Sequence, residues 1–179
     1  MFRRTATGRL VGRFDEVERG VLTALVTQVL ELVEPHGEVD PLADLVGIDP
    51  QARRPDDPAL LRLLPDAYSG DDEASGQFRR FTERSLRGLK AANAQTVLDC
   101  LERSGEKVTL SQPEAQSWLL CLTDVRLALA VRLGIESDDW QRPADDAPDA
   151  PQFHVYDWLT YLQETLVLAV AGQPPPGSR

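Results

Sequence analysis

The chain has 179 residues, 42% apolar and 27% charged, with a formal net charge of −10. That length suits one domain with a real hydrophobic core, and the apolar content excludes global disorder. The acidic balance argues against autonomous nucleic-acid binding and against anionic membranes, although it leaves room for a local basic face.

In chain order, residues 2–14 alternate around Thr7-Gly8 and predict a small β-hairpin carrying Arg3, Arg4, Arg9 and Arg13. Asp15 with Glu18 three residues later forms a capping box, so a helix is expected over 16–33, ending before Pro35. Its apolar stripe is wide, which predicts a central core position. Residues 35–55 read as loop, with Leu42, Leu45, Val46 and Ile48 available to dock. Asp57-Pro58 starts a short helix over 58–64. A helical stretch over 72–103 follows, with Gly76 and Thr82 to Ser85 expected to break it in two. Residues 107–110 read as extended and able to pair with the hairpin. Ser111 and Glu114 form a second capping box, opening a helix over 112–133 that is apolar on most faces and stops at Gly134. Residues 136–151, with six acids and three prolines, read as a mobile acidic loop. A last helix is expected over 154–171, then a disordered tail over 173–179. The expected fold is mainly α: a compact bundle of four to five main helices with a small N-terminal β-hairpin, in a single helical domain over 1–172.

The chemistry-bearing residues are few. His36 and His154 are the only histidines, neither in a nucleophile motif, and no phosphate-binding glycine loop occurs. The expectation is a non-enzyme without a cofactor. His36, Cys100, Cys121 and His154 lack the close ligand pairs of a structural zinc site, so no metal is expected. Neither a signal-peptide core nor an apolar run of about 18 residues is present, which predicts a cytoplasmic protein.

Cys100 and Cys121 lie on two helices joined by a short connection. A tight symmetric hairpin would leave the thiols roughly 8 Å apart along the axes, too far for a disulfide. The extended 107–110 segment offers a stagger that would close the gap. Equally, Cys121 inside Leu119-Leu120-Cys121-Leu122 reads as ordinary core packing. Arg79, Arg80, Arg84, Arg87 and Lys90 form a basic run with Glu83 as its one acid. It reads either as a solvated face or as a docking surface for an acidic partner or nucleic acid.

Four elements in order carry a resemblance. They are Arg13-Phe14-Asp15-Glu16; Leu63-Leu64-Pro65-Asp66-Ala67-Tyr68 followed by Phe78-Arg79-Arg80; Trp118-Leu119 with Leu122 to Leu129 and Arg132-Leu133-Gly134; and Val155 to Glu164. Over about residues 2–171 the chain resembles the actinobacterial oxidative stress regulator family AosR, long catalogued as a domain of unknown function. The resemblance implies a cytoplasmic, redox-responsive transcriptional regulator. It would form an intramolecular disulfide, engage a stress-response sigma factor and control cysteine-biosynthesis genes. Carried onto this sequence, it implies Cys100 and Cys121 as the sensing thiols. The partner surface is expected to combine the basic run with Tyr156 and Trp158 of the last helix. Two rivals stand beside this reading. One is a DNA-binding transcription factor, with helix 112–133 after an extended segment as part of a winged helix. The other is a constitutive protein-interaction adaptor with inert buried thiols.

Overall fold

The computed structural model describes residues 1–34, 52–135, 140, 143–144, 146–148 and 150–174. The loop residues Leu42, Leu45, Val46 and Ile48, and His36, lie outside the described residues, as do much of the acidic stretch and most of the tail. In chain order the elements are β1 (Phe2–Arg4), β2 (Leu10–Arg13), α1 (Glu16–Val33), α2 (Pro58–Leu63), α3 (Asp72–Glu102), β3 (Lys107–Leu110), α4 (Gln112–Arg132) and α5 (Ala150–Ala171). The fold is mainly α, five helices among the described residues, with a small N-terminal antiparallel sheet of order β1-β2-β3.

The hairpin turns at Gly8, whose φ of 82° suits a residue without a Cβ. β3 joins β2 with Leu10 opposite Leu110 and Arg13 opposite Lys107, so the extended 107–110 segment does pair with the hairpin. Gly12 lies beneath aromatic rings: a Cβ there would stand 2.7 Å from the Phe2 ring and 2.8 Å from that of Phe14.

Both expected capping boxes start helices. Asp15 accepts from the Glu18 N–H at 2.8 Å while Glu18 accepts from the Asp15 N–H at 2.9 Å, and Ser111 and Glu114 do the same for α4. Helix α1 fully buries one stripe, Leu22, Val26, Val29 and Val33. Val17 on its outer side is 74% exposed, so α1 packs as a flank of the core. Arg19 reaches across to donate to the Leu101 carbonyl at 2.6 Å, placing a cation at the negative end of α3.

Helix α3 runs unbroken through Gly76 and through Thr82 to Ser85. The Thr82 and Ser85 hydroxyls bond back to the Phe78 and Thr82 carbonyls at 2.9 and 3.2 Å, so they follow the helix rather than compete with it. Helix α4 is the hub, contacting α1, α2, α3, α5 and β3, and carries the fully buried Trp118 and Leu122. Helix α5 begins at Ala150, four residues earlier than expected. It closes the bundle against α4 and β1, where the Phe2 N–H donates to Thr165 Oγ1 at 3.1 Å. No described helix is long and apolar enough to cross a membrane.

Candidate functional site

The two thiols face each other's helices but not each other. Cys100 on α3 and Cys121 on α4 are both free, at 0% and 1% exposure. Across the α3–α4 pair, Lys90 Nζ donates to Asp124 Oδ1 at 2.6 Å and Arg103 Nη2 to Glu114 Oε1 at 2.7 Å. Positions rising on one helix meet positions falling on the other, so the pair is antiparallel. That register sets Cys100 opposite the turn from Glu114 to Ser117 and Cys121 opposite the turn from Asn93 to Thr96. The thiols are thus about five residues out of register, roughly 7 Å along the axes at 1.5 Å per residue. With axes about 8–10 Å apart, this exceeds the Cα separation a disulfide spans. The stagger from β3 is therefore insufficient to join them in this state.

The surroundings of the two thiols differ. Burial raises the Cys100 thiol, but the Trp118 indole and the Arg103 guanidinium hold it back. The Trp118 N–H has no hydrogen-bond partner among the described residues, yet it lies near enough to Cys100 to hold that thiol down. Its ring is locked by Phe2 and Phe14, with centroids at 5.3 and 5.9 Å. Arg103 is half-exposed and is shared between Cys100 and Glu114. Cys100 is thus fully buried, with the Trp118 indole and the Arg103 guanidinium acting to lower its thiol. For Cys121, burial, and the Asp124 carboxylate one turn on, push the thiol up to about 12. Asp124 is itself raised by burial and held back by Lys90. Trp118, Arg103 and Asp124 are the neighbours that sequence reasoning missed. The 103/114 and 90/124 pairings become visible only once the helix register is known.

The basic run does not form one exposed face. Arg79 is buried, donating to Glu83 at 2.7 Å, to Asp66 at 2.8 Å and to the Leu64 carbonyl at 3.0 Å. Arg87 donates to the other Glu83 oxygen at 2.9 Å and to the Val33 carbonyl at 3.1 Å. Lys90 is taken by Asp124. Of the five residues, Arg80 is exposed and Arg84 half-buried. The physical reason is helical geometry: positions 79, 83 and 87 are successive i,i+4 neighbours, and Glu83 faces inward between two arginines. On α5, Tyr156 lies under the Arg126 guanidinium, 5.4 Å from its ring centroid. Trp158 turns the other way, donating its indole N–H to Glu18 at 3.2 Å. These two aromatics and the basic run therefore do not converge on one surface. Among the described residues, no three His, Cys, Asp or Glu side chains are grouped to hold a metal, and His154 is exposed on α5.

Residues 1–170 match the family described as "Domain of unknown function (DUF2017)". The chain is 35% identical over 170 residues to the putative oxidative stress regulator AosR of Mycobacterium leprae, an overlap of 86% of this chain and 78% of that protein. It is 37% identical over 147 residues to the oxidative stress regulator AosR of Mycobacterium tuberculosis H37Rv, covering 74% and 67% of the two chains. The Mycobacterium bovis AosR matches to the same extent. No solved structure matches. With residues 1–170 covered, the chain belongs to the DUF2017 family, alongside the mycobacterial AosR proteins.

Proposed function

We propose that this protein is a non-catalytic, redox-responsive regulator in the cytoplasm that acts by protein contact. The observation that carries the reading is the location of its two thiols, one on each of the helices α3 and α4 whose packing makes the core. The relatives are named oxidative stress regulators, which supports a reading of this kind. Cys100, whose thiol Trp118 and Arg103 hold down, is in this reading the one that a hydroperoxide oxidises first once the packing opens. Its sulfur takes one peroxide oxygen to become a sulfenic acid, and the rest of the peroxide leaves as water or an alcohol. The Cys121 sulfur then displaces water from it to give a disulfide.

Because the thiols lie about five residues out of register, closing this bond requires α3 and α4 to slip or part. That movement breaks the Lys90–Asp124 and Arg103–Glu114 pairs, so oxidation would be read as a change of helix packing. A closed loop of about 20 residues is worth roughly 3 kcal/mol, a shift of more than about a hundredfold in a two-state balance. In this reading the oxidised form engages a stress-response sigma factor and so controls cysteine-biosynthesis genes, as the family resemblance implies.

One observation favours a second reading, a constitutive adaptor: a thiol pushed to about 12 stays protonated and inert at neutral pH. Mass spectrometry of the native protein, alkylated before and after mild peroxide, separates the two. The switch reading expects loss of two hydrogens and an intramolecular Cys100–Cys121 cross-linked peptide. Two unlinked, unreactive thiols after oxidant would leave the adaptor standing.

A further inference from the structure

The outer side of α3 has no partner within the described residues. On it Phe78, Phe81, Leu86 and Leu89 are 46%, 60%, 36% and 56% exposed, although each is a large apolar side chain. Tyr68, 50% exposed, extends the patch by an edge-on contact with Phe78 at 6.1 Å. A groove of about 450 Å³ runs along the same face, between α3 and the Leu64–Ala67 segment. Apolar exposure on this scale on one helix marks a contact surface.

Two features say what covers it. The first is charge. At 100° per residue, Phe78, Phe81, Thr82, Ser85, Gly88, Leu89 and Ala92 share the crest of the helix, and none is charged. The charged residues of this stretch lie elsewhere: Arg79, Glu83, Arg87 and Lys90 in ion pairs, and Arg80 and Arg84 round the helix to one side. A crest without charge offers no electrostatic selection for an acidic or basic partner. It also removes the local repulsion between two copies that each carry −10.

The second feature is the order of sizes. Ser85 is the centre; Thr82 and Gly88 stand three residues to either side, and Phe81 and Leu89 four residues to either side. Gly88 has open space above it, with nothing within 4 Å of a Cβ built there. Turned end over end about Ser85, the crest sets Phe81 against Leu89 twice, with small residues at the crossing. Phe78 then meets Ala92, large against small. That is the self-complementarity a two-fold interface needs.

We propose that the crest of α3 is the interface of a homodimer, in which two α3 helices cross antiparallel about Ser85 and Phe81 of each copy enters the Leu86–Leu89 end of the other's groove. The five exposed side chains leave about 500 Å² per copy, taking roughly 200 Å² for a whole large side chain. Two copies bury about 1,000 Å² before the small residues between are counted. A specific interface needs about 1,000 Å², so the face suffices for a dimer. The antiparallel crossing also sets the two helix dipoles against each other favourably. This proposal does not depend on the redox reading.

The test is sedimentation velocity of the full chain across a concentration series, with the double variant Phe81→Asp/Leu89→Asp beside it. Both positions are exposed, so the variant should keep the wild-type circular dichroism and Tm. The expected result is a wild-type dimer that the variant weakens by at least about thirtyfold, the scale set by truncating a central interface side chain. A Ser85→Cys variant adds a measurement that does not depend on weakening the fold. A short bis-maleimide should join two copies through Cys at that position, the native thiols being buried. A wild-type monomer at every concentration would overturn the proposal and make a foreign protein the occupant of this face. A dimer that the double variant leaves intact, or that Ser85→Cys does not cross-link, would overturn it equally.

Discussion

Glu83 is the residue on which the basic run turns. Its side chain is 9% exposed and bridges Arg79 and Arg87, which are 5% and 15% exposed. Removing one member of a buried ion pair leaves charge without compensation and costs about 3–5 kcal/mol. Glu83→Ala should therefore lower the urea midpoint of unfolding by an amount equivalent to roughly 3 kcal/mol or more. Arg80→Ala, three residues away and exposed, should stay within about 0.5 kcal/mol of wild type. Equal effects of the two substitutions would mean that Glu83 is not the centre of the network. Counted along the chain, the basic run looks like a surface; counted around the helix, it is mostly internal wiring.

At the scale of elements, glycine separates helix from sheet. Gly76 sits inside α3 with nothing within 4 Å of a Cβ built there, so Gly76→Ala removes backbone entropy without a clash. It should stabilise the protein by about 0.5–1 kcal/mol. Gly12 in β2 is the opposite case: its Cβ would press on the Phe2 and Phe14 rings that lock Trp118. Gly12→Ala should destabilise by about 1–3 kcal/mol, visible as a lower Tm and a changed tryptophan fluorescence. Opposite signs for the two alanines are the check.

The elements most legible from sequence are those with local chemistry at their ends. Asp15 with Glu18 and Ser111 with Glu114 announce α1 and α4, because a cap is satisfied within four residues. The failures are those where tertiary structure overrides local preference. Thr82 and Ser85 suggest a break in α3, yet Arg79, Glu83 and Arg87 clamp that stretch to the core. Pro148 and Pro151 suggest loop, yet α5 starts among them at Ala150. Of the candidate site, the cysteine positions and their two helices are legible. The helix register that separates the thiols is not, because Lys90–Asp124 and Arg103–Glu114 are pairings between elements.

For the whole molecule, stability should have two pH limits. Three carboxyls are held below the ordinary range: Asp66 chiefly by its hydrogen bond from Arg79, Glu114 by the Ser111 N–H and Asp57 by the Leu60 N–H. Each binds fewer protons folded than unfolded, so its contribution is present above the ordinary carboxyl range and lost as pH falls through its folded value. Asp124, raised by burial, works in the opposite direction. The two thiols work at the other end. Raised by burial, they keep protons that the unfolded chain releases near 9, so stability should fall as pH rises from there toward about 12. Urea unfolding followed across pH 3–11 should give a plateau at neutral pH with a decline on each side. In a Cys100→Ser/Cys121→Ser variant, the alkaline decline should shrink while the acid one persists. An unchanged alkaline decline would assign it to other groups.

The bond from Phe2 to Thr165 has a further consequence, in time rather than in space. β1 is made well before α5, the helix that completes its place in the core. A contact spanning 163 positions cannot form while the chain is still short, and long-range closures of this kind slow folding. On the ribosome, Phe2 therefore waits without its final partner until α5 emerges. Over that interval the aromatic lock on Trp118 is incomplete, and the apolar hairpin depends on whatever holds nascent chains apart.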